Sequence, residues 1–184
     1  MMDQLKFIIL FLTLLVHSKH GYAMNYAAPT DCQWTTLKNH QIEPSVLLTC
    51  HVSGVGTQMD STNFSLIQSL HTVGLTIICD DRYVEGRLTN SSLAHLNHLQ
   101  SLKFERCSFS ELADDALHGL VELKNLTVHT GKYEENRSVF NIGPTSLMKV
   151  RELEYLDLAG NNIISLPEYA FCGLINLKAT KPQS

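Results

Sequence analysis

The sequence predicts an α/β solenoid, with short parallel strands on a concave face, return segments on a convex side and a disulfide-stapled cap at the N-terminal end. Three observations carry that prediction. A block of apolar residues recurs along the chain with a period near 24. Each copy contains a Leu-x-Leu step, whose period-two alternation sends both side chains to one face. Five cysteines follow an apolar leader, and in an oxidising compartment such residues are read first as disulfides.

Residues 1–23 have the three-part layout of a secretory signal peptide. Lys6 closes a short polar start, Phe7–Val16 is a ten-residue apolar run, and Gly21-Tyr22-Ala23 supplies small residues two apart, which places cleavage after Ala23. Ten residues rise only about 15 Å as a helix, whereas a membrane span needs roughly 20 residues. No second apolar run of that length follows, so the chain is expected to be secreted or extracellular with no membrane span of its own. Sequons at Asn63, Asn90, Asn125 and Asn136 agree with that route. The net charge is −4, with no block of like charge. That balance points away from nucleic acid and from a polybasic membrane surface.

Residues 24–74 are placed to form the cap. A solenoid's first repeat has an uncovered core face, and a polar or disulfide-bonded cap must close it. Cys32-Gln-Trp34 and Val46-Leu-Leu-Thr-Cys50-His-Val52 read as a hairpin stapled Cys32–Cys50. Leu75-Thr-Ile77 resembles a strand core 27 residues before Leu102-Lys-Phe104. By that register Cys79 falls one residue from Cys107. Neighbouring strands lie about 4.8 Å apart, within disulfide reach, which favours Cys79–Cys107. Four cysteines allow three pairings, and the one-residue offset leaves the others open. Cys172 is left unpaired, either as a buried thiol on the convex side or with a partner beyond Ser184.

The repeats follow as 75–98 (weak), 99–122, 123–152 with a six-residue insert, and 153–177. Leu99–Leu123 aligns with Leu153–Leu177 at a shift of 54 without gaps. Leu99, Leu102, Phe104, Leu112, Ala116, Gly119, Leu120 and Leu123 fall on Leu153, Leu156, Leu158, Leu166, Ala170, Gly173, Leu174 and Leu177. A third copy between them carries Leu123, Leu126 and Val128. The segment Leu153-Glu-Tyr-Leu156-Asp-Leu158-Ala-Gly-Asn161 matches the leucine-rich-repeat box in full, and Leu99 to Cys107 is its Cys form. Asn161 sits where the strand turns away, with an amide able to bond buried backbone groups. Leu166, Phe171 and Leu174 are expected to fill the core on the return. The insert, around Thr130–Ser138, is polar and reads as a solvated loop bearing Asn136. The tail, 178–184, stops where the next strand should form, so the chain reads as the truncated start of a longer protein.

Taken in order, Ala28-Pro-Thr-Asp-Cys-Gln-Trp34, Leu48-Thr-Cys-His51, Asn63-Phe-Ser-Leu-Ile-Gln68, Leu75-Thr-Ile-Ile-Cys79, Asn125-Leu-Thr-Val128 and Leu156–Pro167 with Phe171-Cys172 resemble the start of insect Toll receptors, most closely the Tollo and 18-wheeler branch. The resemblance implies a plasma-membrane receptor in innate immunity or development, with more repeats, a membrane span and a cytoplasmic signalling domain elsewhere in the parent. It implies as partner a Spätzle-like cytokine or another Toll-family ectodomain.

No catalytic motif and no cofactor site stands out, so a binding module is expected and not an enzyme. His95-Leu-Asn-His98 could hold a metal by spacing, but both lie between core leucines and read as solvent-facing polar residues. Asp80-Asp81 and Asp114-Asp115 are adjacent pairs that need not converge as an acid and a base must. The alternative is a complete short secreted repeat protein, acting as a decoy or matrix module. The expected open-face residues are Ser101, Lys103, Glu105 and Arg106, then Asn125, Thr127 and His129, then Tyr155, Asp157 and Ala159. They form no aromatic cluster and no single-sign patch. A glycan on Asn125 would obstruct that face, so a partner is expected at the flank or the cap.

Overall fold

In a computed structural model of the chain, the described residues are 28–37, 45–55, 62–80, 88, 92–108, 110–130 and 139–181. The leader, the sequons Asn90 and Asn136 and most of the inserted loop lie outside them.

Two strands begin the fold, β1 (Cys32–Leu37) and β2 (Ser45–Val52), paired antiparallel with Cys32 opposite Cys50. From β2 onward every pairing is parallel: β3 (Thr72–Cys79), β4 (Ser101–Glu105), β6 (Asn125–His129), β8 (Tyr155–Asp157) and β9 (Ala179–Lys181). Together they make one seven-stranded sheet in the order β1-β2-β3-β4-β6-β8-β9. The molecule is a leucine-rich-repeat solenoid. Its register pairs Leu75 with Leu102, Leu126 and Leu156 in turn, and Ile77 with Phe104 and Val128. Burial alternates strictly along β4 and β6, because Leu-x-Leu in an extended chain points both leucines inward. Each leucine so buried contributes about 1.5–3 kcal/mol.

The return segments contain no α-helix among the described residues, only one 3-10 turn at Phe64–Leu66. The leucine spacing explains this. Leu93, Leu96 and Leu99 stand three apart, as do Leu117, Leu120 and Leu123, and each of these sets is buried. The backbone follows the same step: Leu96 N–H donates to Leu93 O (2.9 Å), Leu99 to Leu96 (3.0 Å), Leu120 to Leu117 (3.3 Å) and Leu123 to Leu120 (3.3 Å). Three residues per turn eclipses every third side chain, so all of them face the core. A period of 3.6 would rotate them out of it. Gly119 belongs to this turn. Its φ is +87°, and a side chain there would collide with the Ala94 carbonyl, so only glycine fits. A second small sheet, β5 (Glu111–Leu112) with β7 (Asn141–Ile142), joins the return segments of two repeats.

The last described repeat departs from expectation. Leu174 is buried, but Leu166 is 50 % exposed and Phe171 39 %. Their counterparts Leu112 (4 %) and Leu117 (0 %) are covered. The difference lies in the neighbours. Leu112 pairs with Ile142 of the following repeat, while no described element stands beside Leu166 in that way. Tyr169 has φ +69°, matching Asp115 at +59° two repeats earlier. The backbone turn repeats even where the side chain does not suit it. The tail contributes a strand, since Ala179–Lys181 pairs with Tyr155–Asp157.

Candidate recognition surface

The parallel register arranges the outward side chains of the ladder in rows. One row runs Leu47, Gly74, Ser101, Asn125, Tyr155. The next runs Thr49, Thr76, Lys103, Thr127, Asp157, and a third contains His51, Ile78, Glu105 and His129. Charges within the rows are locally neutralised. Lys103 pairs with Glu105 on its own strand. Asp80 Oδ1 lies 3.4 Å from His51 Nδ1 and 3.6 Å from an Arg106 Nη. Exposed pairs of this kind are worth about 0–1 kcal/mol.

Asp157 is not open, as its row position predicts, but buried. Its Oδ1 accepts the Ala159 N–H at 2.9 Å, closing a local turn. Its Oδ2 lies 3.2 Å from His129 Nε2, a nitrogen shut away from solvent and, among the described residues, without hydrogen-bond geometry to an acceptor. Compensation of this kind cannot be read from a two-residue alternation.

His95 and His98 are partly exposed polar residues, and each also meets a neighbouring repeat. His95 Nε2 is 3.2 Å from the Ile67 carbonyl, and His98 Nδ1 is 3.0 Å from Glu122 Oε1. Both bridge neighbouring repeats. They belong to a polar seam along one flank, where Ser69 Oγ donates to Asn97 Oδ1 (2.6 Å), Asn176 Nδ2 to the Arg151 carbonyl (3.1 Å) and Lys178 Nζ to Glu154 Oε2 (2.8 Å). The hydrogen bond from Lys178 holds the Glu154 carboxyl below its ordinary range, helped by the charges of Lys178 and Lys124 and opposed by burial. Among the described residues no group of three or more His, Cys, Asp or Glu is arranged to hold a metal.

Two disulfides close the cap end. Cys32–Cys50 joins β1 and β2, with Cα atoms 3.9 Å apart, and Cys79–Cys107 joins the end of β3 to the turn after β4, at 4.9 Å. Cys172 is free and exposed, so the thiol is not buried on the convex side. Its register positions in the two preceding repeats hold His118 and Met148, which are exposed as well.

Asn161 occupies in its repeat the position that Cys107 occupies in the first box. Its Nδ2 donates to Val128 O (2.7 Å) and Leu158 O (2.8 Å), and its Oδ1 accepts from Thr130 N (2.8 Å) and Thr130 Oγ1 (2.7 Å). Both donors and both acceptor sites are used, which few side chains other than asparagine allow. The Thr130 partner lies 31 residues back, and only the folded register brings it there. Among the sequons, Asn63 is exposed, with Oδ1 accepting from Ser65 N (3.1 Å) and Ser65 Oγ (2.6 Å). Asn125 is exposed at the start of β6, in the middle of the ladder.

Over 107 residues the chain is 33 % identical to Toll-like receptor 7 of Drosophila melanogaster, covering 56 % of this chain and 7 % of that protein. Over 124 residues it is 27 % identical to Toll-like receptor 3 of Boselaphus tragocamelus and, to the same extent, of Bos taurus, covering 66 % of this chain and 14 % of each. The chain's curated relatives are Toll-like receptors. No protein-family model matches it. The chain spans 7–14 % of the length of these relatives. An insect and two mammalian receptors together support Toll-like receptors broadly and not one insect branch. No helix among the described residues is long and apolar enough to cross a membrane.

Proposed function

We propose that the chain is an extracellular recognition segment of a Toll-like receptor, binding a protein partner through its flank or its cap and not through the concave strands. The observation that carries this reading is Asn125. It is a sequon asparagine, exposed, and seated mid-ladder between Ser101 and Tyr155. An N-glycan there projects into the space a concave ligand would fill. The rows beside it lack the clustered aromatic or arginine anchors that dominate protein interfaces. The polar bonds of the flank join several pairs of neighbouring repeats, and none of the residues that make them belongs to a sequon.

The narrower Tollo and 18-wheeler assignment rests on the ordered cap and repeat motifs of the sequence alone. The partner is then a Spätzle-like cytokine or another Toll-family ectodomain, and the parent a plasma-membrane receptor. Glycosylation at Asn63, Asn90, Asn125 and Asn136 belongs to the same secretory reading. Recognition, not catalysis, is the role of this segment.

The test is binding of a cystine-knot cytokine of the Spätzle type to the secreted chain with and without Asn125→Gln. The reading expects affinities within about twofold, under about 0.5 kcal/mol. A gain of about tenfold or more on removing that sequon would show that the concave face is the binding face.

A further inference from the structure

Asn125 has a neighbour whose chemistry suits a sugar. In the parallel register Asn125 stands opposite Tyr155 of β8 on one side and Ser101 of β4 on the other. All three project from the same face, because each precedes an inward leucine of its strand (Leu102, Leu126, Leu156). Adjacent strands place these residues about 4.8 Å apart. Tyr155 is half-buried and Asn125 exposed. Among the described ladder positions of the three rows, Tyr155 is the one residue carrying a phenyl ring. It adjoins the one described sequon asparagine in those rows.

From this juxtaposition we infer that Tyr155 is a platform for the first N-acetylglucosamine of a glycan on Asn125. The inference rests on the glycosylated, concave-obstructed reading above. A pyranose presents a face of axial C–H groups. An aromatic ring presents a negative face to such C–H dipoles, and the contact closes at about 3.5–4.0 Å between carbons. A ring one strand away from the asparagine is within reach of a sugar linked to it. Ser101, on the opposite side, is too small to compete for the sugar and leaves room for the N-acetyl group. Packing of this kind orients the glycan along the row towards β8 and holds it against the ladder. The concave face is then covered by a positioned sugar and not swept by a loose one.

The experiment uses the whole chain secreted from insect cells with its native glycans, the bound N-acetylglucosamine itself being the probe. Wild type, Tyr155→Phe and Tyr155→Ser are compared by glycopeptide mass spectrometry for occupancy of Asn125 and by NMR of the Asn125-linked sugar. The expected result is an upfield ring-current shift of the first sugar's ring protons in wild type and in Y155F, lost in Y155S. Native removal of the glycan by an amidase should also be several-fold faster in Y155S. If Y155S is not secreted, the Tyr155 ring protons of wild type are followed before and after enzymatic deglycosylation, and they must move. Occupied Asn125 with sugar signals identical in wild type and Y155S, or unmoved Tyr155 protons on deglycosylation, overturns the platform and leaves the obstructed-face reading standing. A bare Asn125 overturns both.

Discussion

Cys107 and Asn161 hold the same position in two copies of one repeat, and they fasten the solenoid by different chemistry. Cys107 reaches back one strand and bonds covalently to Cys79. Asn161 reaches back one strand and makes four hydrogen bonds to β6, Thr130 and its own turn. The first clamp lies at the cap end, where long strands and two disulfides close the sheet. The second lies in the last described repeat, where β8 and β9 are three residues each and Leu166 and Phe171 face solvent. The same sequence box therefore gives a tight end and a loose end. Burial in a repeat array is set by the neighbour as much as by the residue, and stability is a sum of such interfaces.

The largest way to break the comparison is to remove the covalent clamps. The disulfides span separations of 18 and 28 residues, and the chain-entropy model assigns each about 3–4 kcal/mol. Replacing all four cysteines by serine should therefore remove about 6–8 kcal/mol, a large share of an ordinary domain's stability of about 5–15 kcal/mol. Denaturant melts of the purified variants read this directly, and a loss below about 2 kcal/mol for the quadruple variant would contradict it.

Apolar truncations come next. Leu126→Ala, at a fully buried position, should cost about 2–5 kcal/mol. Phe171→Ala, at the register position of buried Leu117, should cost about half of that or less, because truncating a side chain already 39 % exposed opens a gap that water can fill. Equal costs would contradict the solvent exposure of Phe171.

The hydrogen-bonded clamp is tested by Asn161→Ala and Asn161→Asp. Alanine strands the buried Val128 and Leu158 carbonyls and should cost about 2–3 kcal/mol. Aspartate keeps the acceptors for Thr130 but loses both donors and brings a charge against those carbonyls, so it should be no better than alanine. A neutral N161D would show that the donors contribute nothing.

Two smaller effects sharpen the loose end. Tyr169 holds a left-handed backbone conformation that costs a non-glycine side chain about 1–2 kcal/mol. Tyr169→Asn should recover up to about 1 kcal/mol, seen as a raised Tm. The smallest effect is electrostatic. Lys178 holds the Glu154 carboxyl below its ordinary value of 4.5. A carboxyl lowered on folding stabilises above its unfolded value, and that contribution is lost as pH falls through the folded one. Glu154→Gln should therefore flatten slightly the decline of stability below about pH 4.5 and change nothing on the alkaline side.

Much of this fold is legible in the sequence because its signals are local and periodic. Leu102-Lys-Phe104, Leu126-Thr-Val128 and Leu156-Asp-Leu158 announce strands, inward faces and register at once. The repeat spacing also brings Leu75 opposite Leu102. What is not legible depends on who stands beside whom. Thr130 bonds Asn161 across 31 residues, Asp157 turns inward on Ala159 and His129, and His98 finds Glu122 on the next repeat. The turn-only return segments were encoded in the three-residue leucine spacing, a signal that a helical expectation passes over. The candidate surface is legible only in part. The sequon at Asn125 is readable in the sequence, but its pairing with Tyr155 needs the strand register.

The most direct test of the tight-end, loose-end account is native-state hydrogen exchange along the ladder. The account predicts the strongest protection in β3, β4 and β6, with amides of Tyr155–Asp157 and Ala179–Lys181 exchanging by local opening at far lower free energy. Equal protection from β2 to β9, lost in a single global step, would contradict it.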